Sequence, residues 1–294
     1  MVNKIPLLAR LQKTIARQVG CSGVGLHAGE QVSLLIKPAM EDTGICFYRS
    51  DIHSHDNKIP ALVKHVVGTN RSTSIGNVQG AQVNTIEHLL AALLALGIDN
   101  AEIVVDGLEI PAMDGSAEIF TLLLLEAGTF VQGSPRKFIR VLKEVEVRHK
   151  NSFARLSPHE GFEVDVGINY ENQVIGEQSI CFDVSRKYFI EELTKARTFS
   201  LRSEVDDLYR NGKGAGGSLD NCIVVGDAAV ENRNGLWKDD EFVRHKAIDV
   251  LGDMSLAGGS LLGRYYVRHA SHRINIMVLQ KLFSDDDAWE MVAL

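Results

Sequence analysis

The order of segments constrains this chain most: strand-like sequence gives way to helix-like sequence, and then the same order begins again. Residues 29–39 and 43–50 alternate apolar and polar side chains between Gly and Pro punctuation, which predicts strands. A helix is expected over about 84–96, with Asn84 as its cap, Leu89, Leu90, Leu93, Leu94 and Leu96 on its buried side, and Gly97 as its stop. AEIVV, then Asp106-Gly107, then LEIP reads as a strand, a tight turn and a strand. A second helix over 117–127 ends at Gly128, and VQGSPR at 131–136 reads as a linker. Beyond it strands resume in KFIRVLKEVEVRH, SFARLSP and GFEVDVGINY. A helix over 186–197 capped by Ser185 follows, then a Gly-rich loop at 211–217 and a short buried strand in CIVVGD. A long helix over 239–257, a strand in LLGRYYVRH and a final helix over 272–283 capped by Ser271 complete the chain. Two α+β domains of similar design account for this order. No repeat is visible at the level of residues.

The length of 294 residues suits one large domain or two modest ones. With 38 acidic and 31 basic side chains the net charge is −7, so no broad basic surface exists for a nucleic-acid backbone. No apolar run reaches the ~18 residues of a membrane span, and the longest, 89–98, reads as a buried helix. The first twenty residues lack the apolar core and cleavage site of a signal peptide. Cys21, Cys46, Cys181 and Cys222 are scattered without a CxxC pair, which fits reduced thiols in the cytoplasm.

The long helix carries the most informative residues, in FVRHKAIDVLGDM. His245 and Asp249 lie one turn apart on one face, and Asp253 one turn further. Such a pair can bind one metal ion; it can equally be an ordinary His–Asp pair on a solvated face. Ile248, Val250, Leu251 and Met254 argue for a buried helix, where charges need a partner or a metal. A third ligand must come from the ten histidines. His53 and His55 sit in a polar loop, His149 and His159 in turn-like sequence, and His65 in a strand-like run. His88 opens an apolar helix, where the helix N-terminus favours the neutral ring a ligand needs. Glu87 beside it fits two roles: the reciprocal partner of Asn84 in a capping box, or a general base next to a metal ligand. With His88, His245 and Asp249 sharing an ion, a coordination position stays open for water, which suits amide or ester hydrolysis. The same two-His, one-carboxylate set also fits a non-haem Fe(II) oxygenase. NGKGAGGSLDN lacks the spacing of a phosphate loop, HExxH is absent, and SGVGLHAG either brings His27 to a polar ligand or is a plain turn.

LQKTIARQVGCSGVGLHAGEQVSLLIKPA, NRSTSIG, VNTIEHLLAALLALGIDNAEIVVDGLEIPAMDGSA, ARTFSL, GGSLDNCIVV and DEFVRHKAIDVLGDM together resemble the UDP-3-O-acyl-N-acetylglucosamine deacetylase family. The resemblance runs from about Leu11 to Trp289, with TIEHL and FVRHKxxDxxGD the most specific parts. It implies removal of acetate from the 2-acetamido group of that UDP-sugar, the committed step of lipid A biosynthesis in Gram-negative bacteria. It implies zinc, with Fe²⁺ as the alternative, held by His88, His245 and Asp249. Glu87 becomes the general base and His272 the second catalytic histidine, oriented by Asp253. Thr198 is expected to stabilise the oxyanion, Lys246 to contact the substrate near its phosphates, and Phe199 to touch substrate. Where the family has SGHALNNKL this chain reads ASHRINIMV, and Asn275 keeps the register on His272 rather than His269. A helix N-terminus would depress the His272 pKa and Asp253 would raise it.

The fold implied is α+β: two similar domains, 1–132 and 133–294, each a small sheet with two helices, packed helix to helix with the metal between them. One insert near 59–76 should bound the site, and another near 198–218 should form a passage for the fatty acyl chain. Phe199, Leu201, Val205 and Leu208 recur at near-helical spacing, as either passage lining or core. The chain is expected to be cytoplasmic and monomeric, with no nucleic-acid partner and no membrane span. Two rival functions use the same residues: an Fe(II) oxygenase, and a non-catalytic metal or nucleotide-sugar binder.

Overall fold

The computed structural model of the chain describes residues 10–52 and 56–293. His53 and His55 lie outside the described residues.

The first sheet has the order Val19–Val24, Gln31–Pro38, Ala101–Val105, Ile45–Arg49, Lys58–Pro60. Alternation works as expected in Gln31–Pro38, where Val32, Leu34 and Ile36 are buried between exposed or half-exposed neighbours. The expected hairpin at Asp106-Gly107 does not form. Ala101–Val105 pairs antiparallel with Gln31–Pro38 and parallel with Ile45–Arg49, so both its edges are taken. LEIP leaves the sheet instead and makes single bridges, Glu109 to Asn84 and Pro111 to Gly25. The expected linker at 131–136 is also different: it belongs to the strand Thr129–Pro135, antiparallel to Leu11–Ile15. Buried Gln132 ties that strand down, accepting from Asn100 at 2.8 Å and donating to the Ala39 carbonyl at 2.9 Å.

The second sheet runs Val145–His149, Ser152–Ser157, Ser260–Arg268, Lys137–Val141, Trp289–Ala293. Phe162–Asn169 adds parallel to the second half of Ser260–Arg268, and Glu177–Asp183 pairs with it in turn. KFIRVLKEVEVRH is therefore two strands.

Helix α1 spans Glu87–Leu96 and α2 spans Glu118–Ala127. A short α3, Arg186–Tyr188, is capped by the Ser185 hydroxyl, which accepts from the Tyr188 amide at 3.2 Å; it runs into a π-helical turn, Phe189–Leu193. This helix stops short of 197 because Arg197 is drawn away to Glu241, which accepts from both its amide and its guanidinium. The remaining helices are α4 (Arg202–Arg210), α5 (Glu241–Ser255) and α6 (His272–Phe283). Ser271 stands at the N-cap of α6 in extended conformation, without a side-chain cap bond.

Helices α1 and α5, one from each half of the chain, pack directly on each other. Gly252 of α5 allows it: a Cβ there would lie 2.1 Å from the Glu87 carbonyl oxygen. The close approach brings backbone against backbone and sets the first turn of α1 beside the C-terminal part of α5.

Candidate active site

The entry to α1 builds the first part of the site. Asn84 does not cap this helix; its Oδ1 accepts from the Gln82 side-chain Nε2 at 2.6 Å. Thr85 adopts φ 58°, a left-handed conformation unfavourable for a β-branched residue, and the helix starts only at Glu87. Buried Glu109 holds this turn, accepting from the Thr85 hydroxyl at 2.7 Å and from the amides of His27 and Ala28. The capping-box reading of Glu87 therefore fails. Its Oε2 accepts from the Thr73 amide at 3.1 Å, and Oε1 lies 3.7 Å from His272 Nε2.

Opposite it, α5 presents His245, Asp249 and Asp253 along one face, all buried. His88 Nε2 and His245 Nε2 each lie 3.5 Å from Asp249 Oδ1, and the three ligand atoms fall within 4.8 Å of one another. Asp249 Oδ1 is buried without a hydrogen-bond partner, among the few such side-chain atoms described. An orphaned carboxylate oxygen facing two imidazole nitrogens fits a metal ion of the zinc type. The other oxygen, Oδ2, accepts from Lys246 Nζ at 2.8 Å.

Electrostatics separate His245 from His272. Burial pushes the His245 imidazole down to about 3, with His88 and Lys246 acting in the same direction against Asp249. The ring is thus neutral, as a metal ligand must be. Burial would also raise Asp249, but His245, Lys246 and His272 around it hold its carboxyl well below the usual range. His272 is equally buried, yet Asp253, Glu87 and Asp249 outweigh desolvation and raise it to about 9. Its Nδ1 pairs with Asp253 Oδ2 at 2.9 Å. Asp253 raises His272 as expected; the effect it outweighs here is burial. Burial raises the Glu87 carboxyl above its ordinary value.

A cavity of about 220 Å³ has Glu87, His88, Thr198, Phe199, His245, Lys246, Asp249 and His272 in its walls. All the site residues expected from the sequence except Asp253 thus line one space, and Asp253 stands behind His272. His27 lines the same cavity, with both ring nitrogens buried and unpartnered. His65, His149, His159 and His269 do not line it. Phe199 packs edge-on against the His245 ring at 5.9 Å, and Lys246 Nζ lies 5.5 Å from the Phe199 centroid. A second cavity of about 220 Å³ adjoins the first through Leu26, Thr198 and Phe199, and extends along α4 past Val205 and Leu208.

Residues 12–284 match the family described as UDP-3-O-acyl N-acetylglycosamine deacetylase. The chain belongs to this family. Three curated relatives carry the name UDP-3-O-acyl-N-acetylglucosamine deacetylase. That of Nautilia profundicola is 44% identical over 96% of this chain and 94% of its own. That of Campylobacter fetus subsp. fetus is 42% identical over 96% and 95%, and that of Pseudomonas entomophila 42% over 96% and 93%.

Within this deacetylase fold, some participants gave no local signal in the sequence. Thr73 is fully buried, and its hydroxyl donates to Asp253 Oδ1 at 2.5 Å while its amide serves Glu87. Asn275 donates to Asp253 Oδ2 at 2.8 Å and accepts from the Tyr265 hydroxyl at 2.7 Å. Both oxygens of Asp253 are thereby engaged, which fixes the carboxylate against His272. Thr73 lies within NRSTSIG, so the family motif marked the segment, but not the contact. Asn275 was legible only as a register marker.

Proposed function

We propose that this chain is a zinc-dependent amidase that removes acetate from the 2-acetamido group of UDP-3-O-acyl-N-acetylglucosamine. The convergence of two imidazoles on the orphaned oxygen of Asp249, with Glu87 and His272 beside it, carries the reading. His88, His245 and Asp249 would hold the ion. A bound Zn²⁺ supplies Lewis-acid polarisation of the acetamide carbonyl and a site for the attacking water.

The chain's own groups handle the protons. Glu87 Oε2 is anchored on Thr73, which leaves Oε1 to take the proton from water as the oxygen attacks. His272, an imidazolium with Nδ1 committed to Asp253, turns Nε2–H toward Glu87 and the cavity. It supports the negative charge of the tetrahedral adduct and gives its proton to the amine as the C–N bond breaks and acetate leaves. Asp253 orients this ring. Thr198, in the cavity wall, would donate its hydroxyl to the oxyanion, and Phe199 beside it would contact the substrate. Lys246 keeps Asp249 ionised through one N–H, and its other donors serve the diphosphate.

The cavity along α4 is read as the passage for the acyl chain. The domains are read as 1–132 and 133–294, supported by the two separate sheets, with inserts near 59–76 and 198–218. No helix among the described residues is long and apolar enough to cross a membrane. The chain is read as a cytoplasmic monomer. Acetate release from the acylated UDP-sugar, assayed with and without a chelator, tests the whole reading. Release that a chelator abolishes is the expected result. Oxygen consumption without acetate release would instead indicate an Fe(II) oxygenase, and binding without turnover a non-catalytic protein.

A further inference from the structure

We infer that Arg71 is a specificity-determining residue that grips the ester carbonyl of the substrate's 3-O-acyl group where the chain passes from the metal cavity into the apolar passage. The inference rests on the proposed substrate. Arg71 is in the wall of both cavities, so the residue stands at their junction. It is held there from the far side: Nη1 donates to Glu204 Oε2 of α4 at 2.8 Å, an ion pair that joins the two segments flanking the junction. Its remaining N–H groups have no protein acceptor among the described residues.

The backbone is built to present this side chain. Arg71 adopts φ 68°, and Lys213 Nζ, from the Gly-rich turn, donates to the carbonyl of the preceding Asn70. That turn is in turn fixed on the loop of His27: the Ala215 and Gly216 amides donate to the His27 and Leu26 carbonyls at 3.2 and 3.1 Å. Two stretches, SGVGLHAG and NGKGAGG, thus steady the residue at the junction.

Substrate chemistry supplies the matching group. A 3-O-acyl chain leaves the sugar through an ester and continues into largely hydrocarbon chain suited to an apolar passage. The ester carbonyl is a strong acceptor at the mouth of the passage, and leaving it unpaired there is costly. A planar guanidinium with free N–H groups at that point satisfies it.

The test compares UDP-N-acetylglucosamine carrying a 3-O-acyl ester with its 3-O-alkyl ether of equal chain length. Wild type should prefer the ester about tenfold or more in kcat/KM, the scale of a hydrogen bond to a charged group. In Arg71→Leu that preference should collapse toward one, and Arg71→Lys should restore part of it. Arg71→Gly, which relieves the positive φ and so retains the fold, should behave like Arg71→Leu. Glu204→Gln, a positioning change, should weaken the preference mainly through KM. An ester preference retained in both Arg71→Leu and Arg71→Gly overturns the inference, as does an equal loss on ester and ether. Failure of wild type to release acetate from either compound would count against the proposed substrate and not against Arg71 alone.

Discussion

His245 and His272 are both buried in one cavity wall and both face carboxylates, yet they carry opposite charge states. His245 is pushed down to about 3 and His272 up to about 9. The difference lies in who shares the carboxylates. His245 has Asp249, but that group is also claimed by Lys246 at 2.8 Å and faces His88. His272 has Asp253 at 2.9 Å, with Glu87 at 3.7 Å and Asp249 at 3.9 Å beyond it. Burial sets the stakes for a titratable group, and the balance of nearby carboxylates against nearby cationic groups decides its charge. One corner is made to hold a cation beside the neutral ring of His245; the other is itself a cation ready to give a proton.

Asp249→Ala should break the first corner most severely. It should lose bound metal and, with the Lewis acid gone, fall on the order of 10³-fold or more in kcat/KM. The variant should stay folded, because α5 keeps its apolar residues; one tightly bound ion per chain after purification without added metal would refute the ligand set. Glu87→Ala should spare the metal and still lose about 10²–10⁴-fold, the usual worth of a general base. Wild-type turnover in that variant would remove Glu87 from the chemistry altogether. Removing the acyl chain tests a third region. At ~0.8 kcal/mol per buried methylene, UDP-N-acetylglucosamine lacking the chain should fall by about 10²-fold or more in kcat/KM. Equal rates on the two substrates would mean that the cavity past Val205 and Leu208 does not take the acyl chain.

The second corner is sharpened by pH. Glu87 must be ionised and His272 protonated, so kcat/KM should follow a bell whose alkaline limb lies near 9. Asp253→Asn removes the charge that sustains the imidazolium and should pull that limb toward neutrality, with about a tenfold loss near pH 8. An unmoved limb would show that another group titrates there. Stability gives the smallest effect. The folded-state pKa of His272 lies above its ordinary 6.5, so the contribution is fully present below 6.5 and fades as pH rises through about 9. His272→Gln should therefore melt a few degrees below wild type near pH 6, and the gap should close at high pH.

What was legible in the sequence divides along the same line. His245, Asp249 and Asp253 were found because helical periodicity alone stacks them, and His88 because an apolar helix begins with it. Glu87 was ambiguous, since Asn84-x-x-Glu87 satisfies a local rule that Glu109 and the strained Thr85 override from a distance. The hairpin at Asp106-Gly107 and the linker at 131–136 were misread for the same reason: strand partners elsewhere in the chain claimed these segments. Thr73, 180 positions from Asp253, touches it through a bond that no window of sequence contains. Local period reveals the ligands; the groups that fix their charges arrive through tertiary pairing.

Gly252 gives the site one more property. Because the contact between α5 and Glu87 is backbone on backbone, no deformable side chain lies between the two halves of the catalytic apparatus. The span from the base to the ligands is therefore a stop, like the shoulder on a machined part, rather than a spring. Repacking the surrounding core will loosen the sheets before it alters that span, whereas one added methyl group at this position levers the halves apart.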